Sequence, residues 1–166
     1  VKADTSLDTG SEKDGQARLF RIPENSATSI HREKRMTMDA RADKIASIID
    51  AEKSEPWVVW CETNDEADAL IARLPEAVEV RGQHSPDEKE AKLIAFSSGQ
   101  SRIIITKPSI AGFGLNWQHA ARQAFIGLSF SYESYYQAVR RSWRFGQKRP
   151  VHVHIACADT ERAVYE

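Results

Sequence analysis

Apolar residues in this chain fall in short unbroken runs, and the stretches between them carry apolar residues at helical spacing. Trp57-Val58-Val59-Trp60-Cys61, entered through Pro56, has no polar side to offer water and reads as a strand buried on both faces. Further runs at 77–80, 102–106, 123–128 and 151–157 predict four more strands. Thr63-Asn64-Asp65-Glu66 has the form of a capping box, opening a helix with Ala67, Leu70, Ile71 and Leu74 as its stripe and Pro75 as its stop. Ser85-Pro86-Asp87-Glu88 repeats that grammar with proline at the first helical position. Its helix is expected to bury Ala91, Ile94, Ala95 and Phe96 and to end at Gly99. An earlier helix over 29–53 carries Ile45, Ile48 and Ile49. Residues 1–27 are rich in Asp, Lys, Ser, Thr and Gly, with Leu19, Phe20 and Ile22 as apolar anchors, and read as a linker or disordered lead-in, leaving 28–166 as one domain.

Strands alternating with helices predict an α/β domain whose mainly parallel sheet is covered on both faces, since parallel neighbours need a crossover connection. Ligands of such sheets sit at the carboxyl ends of the strands. Here those ends are Glu62-Thr63, Arg81-Gly82-Gln83, Thr106-Lys107-Pro108 and Ser129-Phe130.

The net charge of −1 says little about partners, but its distribution says more. Between Ser101 and Ala158 stand eight Lys or Arg and one acid, Glu133, a local +7 that leaves −8 for the remainder. Such a segment fits a nucleic acid or polyphosphate partner, and equally a solvated basic surface. Cys61 and Cys157 lie in apolar runs, consistent with buried thiols in a reducing compartment, and no familiar zinc spacing includes them. No apolar run is long enough to span a bilayer. The chain begins at Val1 without methionine and ends at Glu166 in helix-like sequence, so it is expected to be a piece of something larger.

The most chemically specific stretch is 137–147, Gln-Ala-Val-Arg-Arg-Ser-Trp-Arg-Phe-Gly-Gln. On a helix, Gln137, Arg141 and Arg144 share one stripe at i, i+4 and i+7, with Tyr136, Val139 and Trp143 opposite as anchors. One amide and two guanidiniums side by side suit a phosphate, because arginine is always charged and binds oxyanions in a bidentate fork. The helix should rise from the carboxyl edge and present its guanidiniums there. After the third strand, Gly112-Phe113-Gly114 permits close backbone approach to a ligand, but Trp117 stands where a dinucleotide fingerprint needs its third glycine. His152 and His154 share a strand face without a nearby acid to complete a metal shell, and His84 and His119 have no evident partner. Ser129, Ser131 and Ser134 lack the glycines of a nucleophile elbow.

Thr106-to-Asn116 followed by Gln137-to-Gln147 resembles the fifth and sixth motifs of superfamily-two helicases. The nearest resemblance is to the Swi/Snf type, with Gly-x-Gly-x-Asn before Gln-x-x-x-Arg-x-x-Arg-x-Gly-Gln, and within it to the phage and prophage branch. Trp57-to-Asn64 is similar to the fourth motif and Val80-to-His84 to the loop after it. The resemblance implies a RecA-like three-layer α/β/α fold, the second lobe of an ATP-driven DNA translocase working in the cytoplasm of a bacterial or phage-infected cell. It implies Arg141 and Arg144 as arginines reaching the γ-phosphate of ATP, Gln137, Gly114 and Asn116 bordering the nucleotide, and Thr106, Lys107, Gly82 and Gln83 touching the DNA backbone. ATP and Mg2+ would be held with a missing N-terminal lobe, because the chain contains no Gly-x-x-x-x-Gly-Lys-Ser/Thr and no Asp-Glu-x-x motif at a strand end. The fragment alone is therefore expected to be inactive and to hold neither tightly. Arg140 and Trp143 depart from the family pattern, which usually has an acid and a histidine there. A helicase-like module that only binds DNA or protein is the alternative.

Overall fold

β1 (Trp57–Trp60) is apolar throughout because helices cover both of its faces. The computed structural model describes residues 27–110, 115–128 and 131–158. Around β1 lie β2 (Val78–Val80), β3 (Ile103–Thr106), β4 (Arg122–Phe125) and β5 (His152–Ile155) in the order β2-β3-β1-β4-β5, every neighbouring pair parallel. Alternation sorts the side chains. Trp57, Val59, Ile103, Ile105 and Ala124 face α2 (Met38–Ala51) and α3 (Asn64–Arg73), while Val58, Trp60, Ile104 and Phe125 face α4 (Pro86–Ser97) and α5 (Tyr132–Val139). The result is the three-layer α/β/α arrangement expected from the sequence, with strands shorter than predicted by one to three residues.

The two capping boxes form as their sequences predict, Thr63 with Glu66 and Ser85 with Glu88. Three expectations need correcting. The helix over 29–53 is two helices, α1 (Ala27–Met36) and α2, broken at Thr37, whose hydroxyl donates back to the Glu33 carbonyl at 2.8 Å; such back-bonding bends a helix. On α4 the inward residues are Phe96 and, in part, Leu93, whereas Ile94 and Ala91 are exposed. The third concerns α5.

α5 ends at Val139, before either arginine, so the continuous stripe of Gln137, Arg141 and Arg144 does not form. Beyond it the amides of Arg141 and Ser142 bond three residues back, to Ala138 and Val139, and the Arg141 carbonyl leaves helical bonding to accept the Trp117 amide at 2.9 Å. Nor do Tyr136 and Trp143 anchor a core; both are exposed, and Ala138, Val139 and Tyr135 pack inward instead. α5 begins at the carboxyl edge but runs back along the sheet, so the arginine turn flanks Gln123 in the amino half of β4 rather than the carboxyl edge.

The arginine turn and the strand-end loops

Gln123 is fully buried, and its amide organises the arginine turn. Its oxygen accepts the Trp60 indole N–H at 2.9 Å. Its nitrogen donates to the Ser142 hydroxyl at 2.7 Å and to the Val139 carbonyl at 3.2 Å, which also accepts the amides of Ser142 and Trp143. From below, Gln147 completes the clamp, its amide donating to the carbonyls of Ser142 at 3.1 Å and Gln118 at 2.8 Å. Gly146, at φ 89°, supplies the left-handed turn that brings Gln147 back.

On this clamped turn Arg141 is half-buried and Arg144 exposed. Neither pairs with a carboxylate among the described residues, whereas Arg41, Arg73, Arg81, Arg102, Arg122 and Arg149 all do. Burial, and then the charge of Arg144, push the Arg141 guanidinium below its ordinary pKa. Two cations held together without an acid form a site for an anion. Arg144 Nη1 lies 3.5 Å from the Leu115 carbonyl, and the Arg141 carbonyl holds Trp117, so exposed Asn116 stands beside the turn. Gln137 is exposed on α5. Gly114 lies outside the described residues.

The four strand-end residues form a second group. A Cβ on Gly82 would sit 3.9 Å from the Ile110 side chain, so the loop after β2 and the loop after β3 are neighbours. Gly82 and Gln83 are exposed and Lys107 is half-buried. Lys89 steadies the first loop by donating to the Gly82 carbonyl at 2.7 Å, and the Arg81 amide donates to His84 Nδ1 at 3.1 Å. Thr106 is buried, and its hydroxyl donates to the Val80 carbonyl at 3.2 Å, so it ties β3 to β2 rather than facing solvent. Residues 115–118 lie against the arginine turn. His152 is exposed and His154 packs its ring 5.4 Å from that of Trp57; the two do not converge with a third ligand, and no three His, Cys, Asp or Glu gather among the described residues.

Sequence reasoning did not single out Gln123 or Ser142, and it gave Trp117 no part in holding the turn. A glutamine inside a predicted buried strand was the available signal, since a buried amide must find partners and tends to position something.

The model of the helicase conserved C-terminal domain family matches residues 40–146, well over half of the chain. The chain is 30% identical over 95 residues to the ATP-dependent RNA helicase eIF4A of Yarrowia lipolytica, across 55% of this chain and 24% of that protein. It thus spans between 16% and 24% of the length of these curated relatives. Among solved structures, the C-terminal part of the Fun30 ATPase domain superposes with a TM-score of 0.67 at 18% identity, covering 76% of this chain and 44% of that one. The C-terminal domain of the DEAD-box protein Dbp5 gives 0.63 at 17% identity, covering 75% and 74%. These superpositions give the fold as RecA-like, and with the family match over β1 to the arginine turn this chain belongs to the helicase conserved C-terminal domain family.

Proposed function

We propose that this domain is the second lobe of an ATP-dependent DNA translocase of the Swi/Snf type, supplying Arg141 and Arg144 to ATP hydrolysis. The observation that carries the reading is the pair of acid-free guanidiniums on a turn fixed from inside by Gln123 and Gln147. In phosphoryl transfer there is little covalent work for the protein, and positioned charge on the phosphoryl oxygens supplies most of the rate. A turn clamped at both ends presents its guanidiniums already placed, with little reorganisation left to oppose the reaction. Gln137 and Asn116, with Gly114, would border the same nucleotide. The missing lobe would hold the triphosphate and Mg2+, whose chemistry is to neutralise charge between the phosphates; the carboxylates of this domain gather into no such site among the described residues.

Gly82, Gln83 and Lys107 would contact the nucleic acid backbone, with Thr106 fixing the strand end from which Lys107 emerges. Backbone contact gives affinity without sequence information and is weakened by salt. The Swi/Snf type, its phage-like branch and a bacterial cytoplasm rest on the motif resemblance; the relatives include an RNA helicase, which makes RNA the competing substrate. With the first lobe restored, ATP turnover should rise with duplex DNA more than with RNA of equal length. Stimulation by RNA alone would move the chain to the RNA helicases. Unchanged turnover in Arg141→Ala and Arg144→Ala would return it to a non-catalytic binding module.

A further inference from the structure

Arg140 and Trp143, the two departures from the family pattern, are brought together by the fold. The Arg140 guanidinium lies 5.5 Å from the centre of the Trp143 ring and 5.9 Å from that of Tyr136. Tyr136 in turn stacks on Tyr132, with centres 6.2 Å apart and planes inclined by 23°. Tyr132, Tyr136, Arg140 and Trp143 thus make a ladder along α5 and the turn beyond it, starting at the carboxyl edge of the sheet and ending beside Arg144. Its rings face solvent, Tyr132 at 76% and Trp143 at 53% exposure, and neighbouring Phe145 is wholly exposed while Gln118 pins its carbonyl at 2.6 Å.

Large rings left in water in a row mark a binding surface. Charge identifies the occupant. Arg140, Arg144 and Lys148 make no ion pair among the described residues, and Glu133 is the one acid in 101–158. A guanidinium set between rings serves nucleobases as well as the rings do, since bases stack on aromatic faces and on arginine alike, and the surplus of positive charge around it favours a polyanion.

We infer that the Tyr132–Tyr136–Arg140–Trp143 ladder, extended by Phe145, is a stacking site for unpaired bases of a single-stranded nucleic acid. The site goes beyond the translocase reading: it needs neither ATP nor the first lobe, and it takes bases where that reading invokes the backbone alone.

The test is fluorescence anisotropy of the full chain with a labelled oligothymidylate of about fifteen nucleotides and with a duplex of the same length. Trp143→Ala and Tyr136→Ala should each weaken single-strand binding about fivefold or more, with Trp143→Phe retaining most of it. Their salt dependence should match the wild type, because no charge has been removed. Duplex affinity should be unaffected, and circular dichroism should show the fold intact. The site is ruled out by no single-strand binding to the wild type, by alanine variants within about twofold of it, or by equal losses on the duplex. Strand affinity is read without ATP, so such a failure leaves the arginine assignment standing, and lost turnover in the arginine variants leaves this site standing.

Discussion

Gln123 is a polar side chain in an apolar sheet with both ends of its amide in use, toward Trp60 on one side and toward Ser142 and Val139 on the other. Gln123→Leu would leave the Trp60 N–H and the buried Ser142 hydroxyl without the partners they have now, each worth about 1–3 kcal/mol. A fall in urea-unfolding stability of about 2–4 kcal/mol is expected from that principle; a neutral substitution would mean the turn is held by other means. Cys61 offers an independent check on burial. Loss of solvent, reinforced by the Glu66 charge, pushes its thiol up to about 12. Reactivity follows the thiolate, so Cys61 should resist alkylation at pH 8 in the native protein and react on unfolding, where the thiol returns to about 8.5. The sequence made Cys61 legible because the four residues before it are all apolar. Gln123 was not legible in the same way, because its role depends on partners 15 or more residues away.

Elements were legible where local chemistry decides them. Both capping boxes form from four consecutive residues, and β1 and β3 are strands built on unbroken apolar runs, Trp57–Trp60 and Ile103–Ile105. The end of α5 was not legible, because distant residues hold the turn beyond it: Trp117 takes the Arg141 carbonyl and Gln123 holds the Ser142 hydroxyl. Helical periodicity carried past that point placed Arg141 and Arg144 on a stripe that does not exist, although it named the right residue types. The junction of α2, α3 and the end of β4 is likewise long-range. Arg41, fully buried, bonds Glu66 at 3.3 Å and the Ile126 carbonyl, while Glu66 Oε2 accepts the amides of Glu62 and Thr63. Arg41→Leu leaves a buried carboxylate without its cation and should cost about 3–5 kcal/mol, read by urea unfolding. A loss below about 1 kcal/mol would show that the amides alone carry Glu66.

At the scale of the whole molecule, the parallel order β2-β3-β1-β4-β5 separates two groups. The strand-end loops with Gly82, Gln83 and Lys107 lie at the carboxyl edge, and the arginine turn lies back along β4. That separation suits a lobe with nucleotide in a cleft and nucleic acid across its edge, and it explains why a single surface at the carboxyl edge was too simple an expectation. The central claim is that Arg141 and Arg144 act on the phosphates of ATP. Its most direct measurement is kcat for nucleic-acid-stimulated ATP hydrolysis by the protein with both lobes, comparing wild type with Arg141→Ala and Arg144→Ala at matched folding. An arginine acting on the transferring phosphoryl is worth roughly 10³-fold or more in rate, so a loss of that order with native circular dichroism is predicted for each variant. Turnover within about tenfold of wild type in both would contradict the account, because no arginine finger is worth so little.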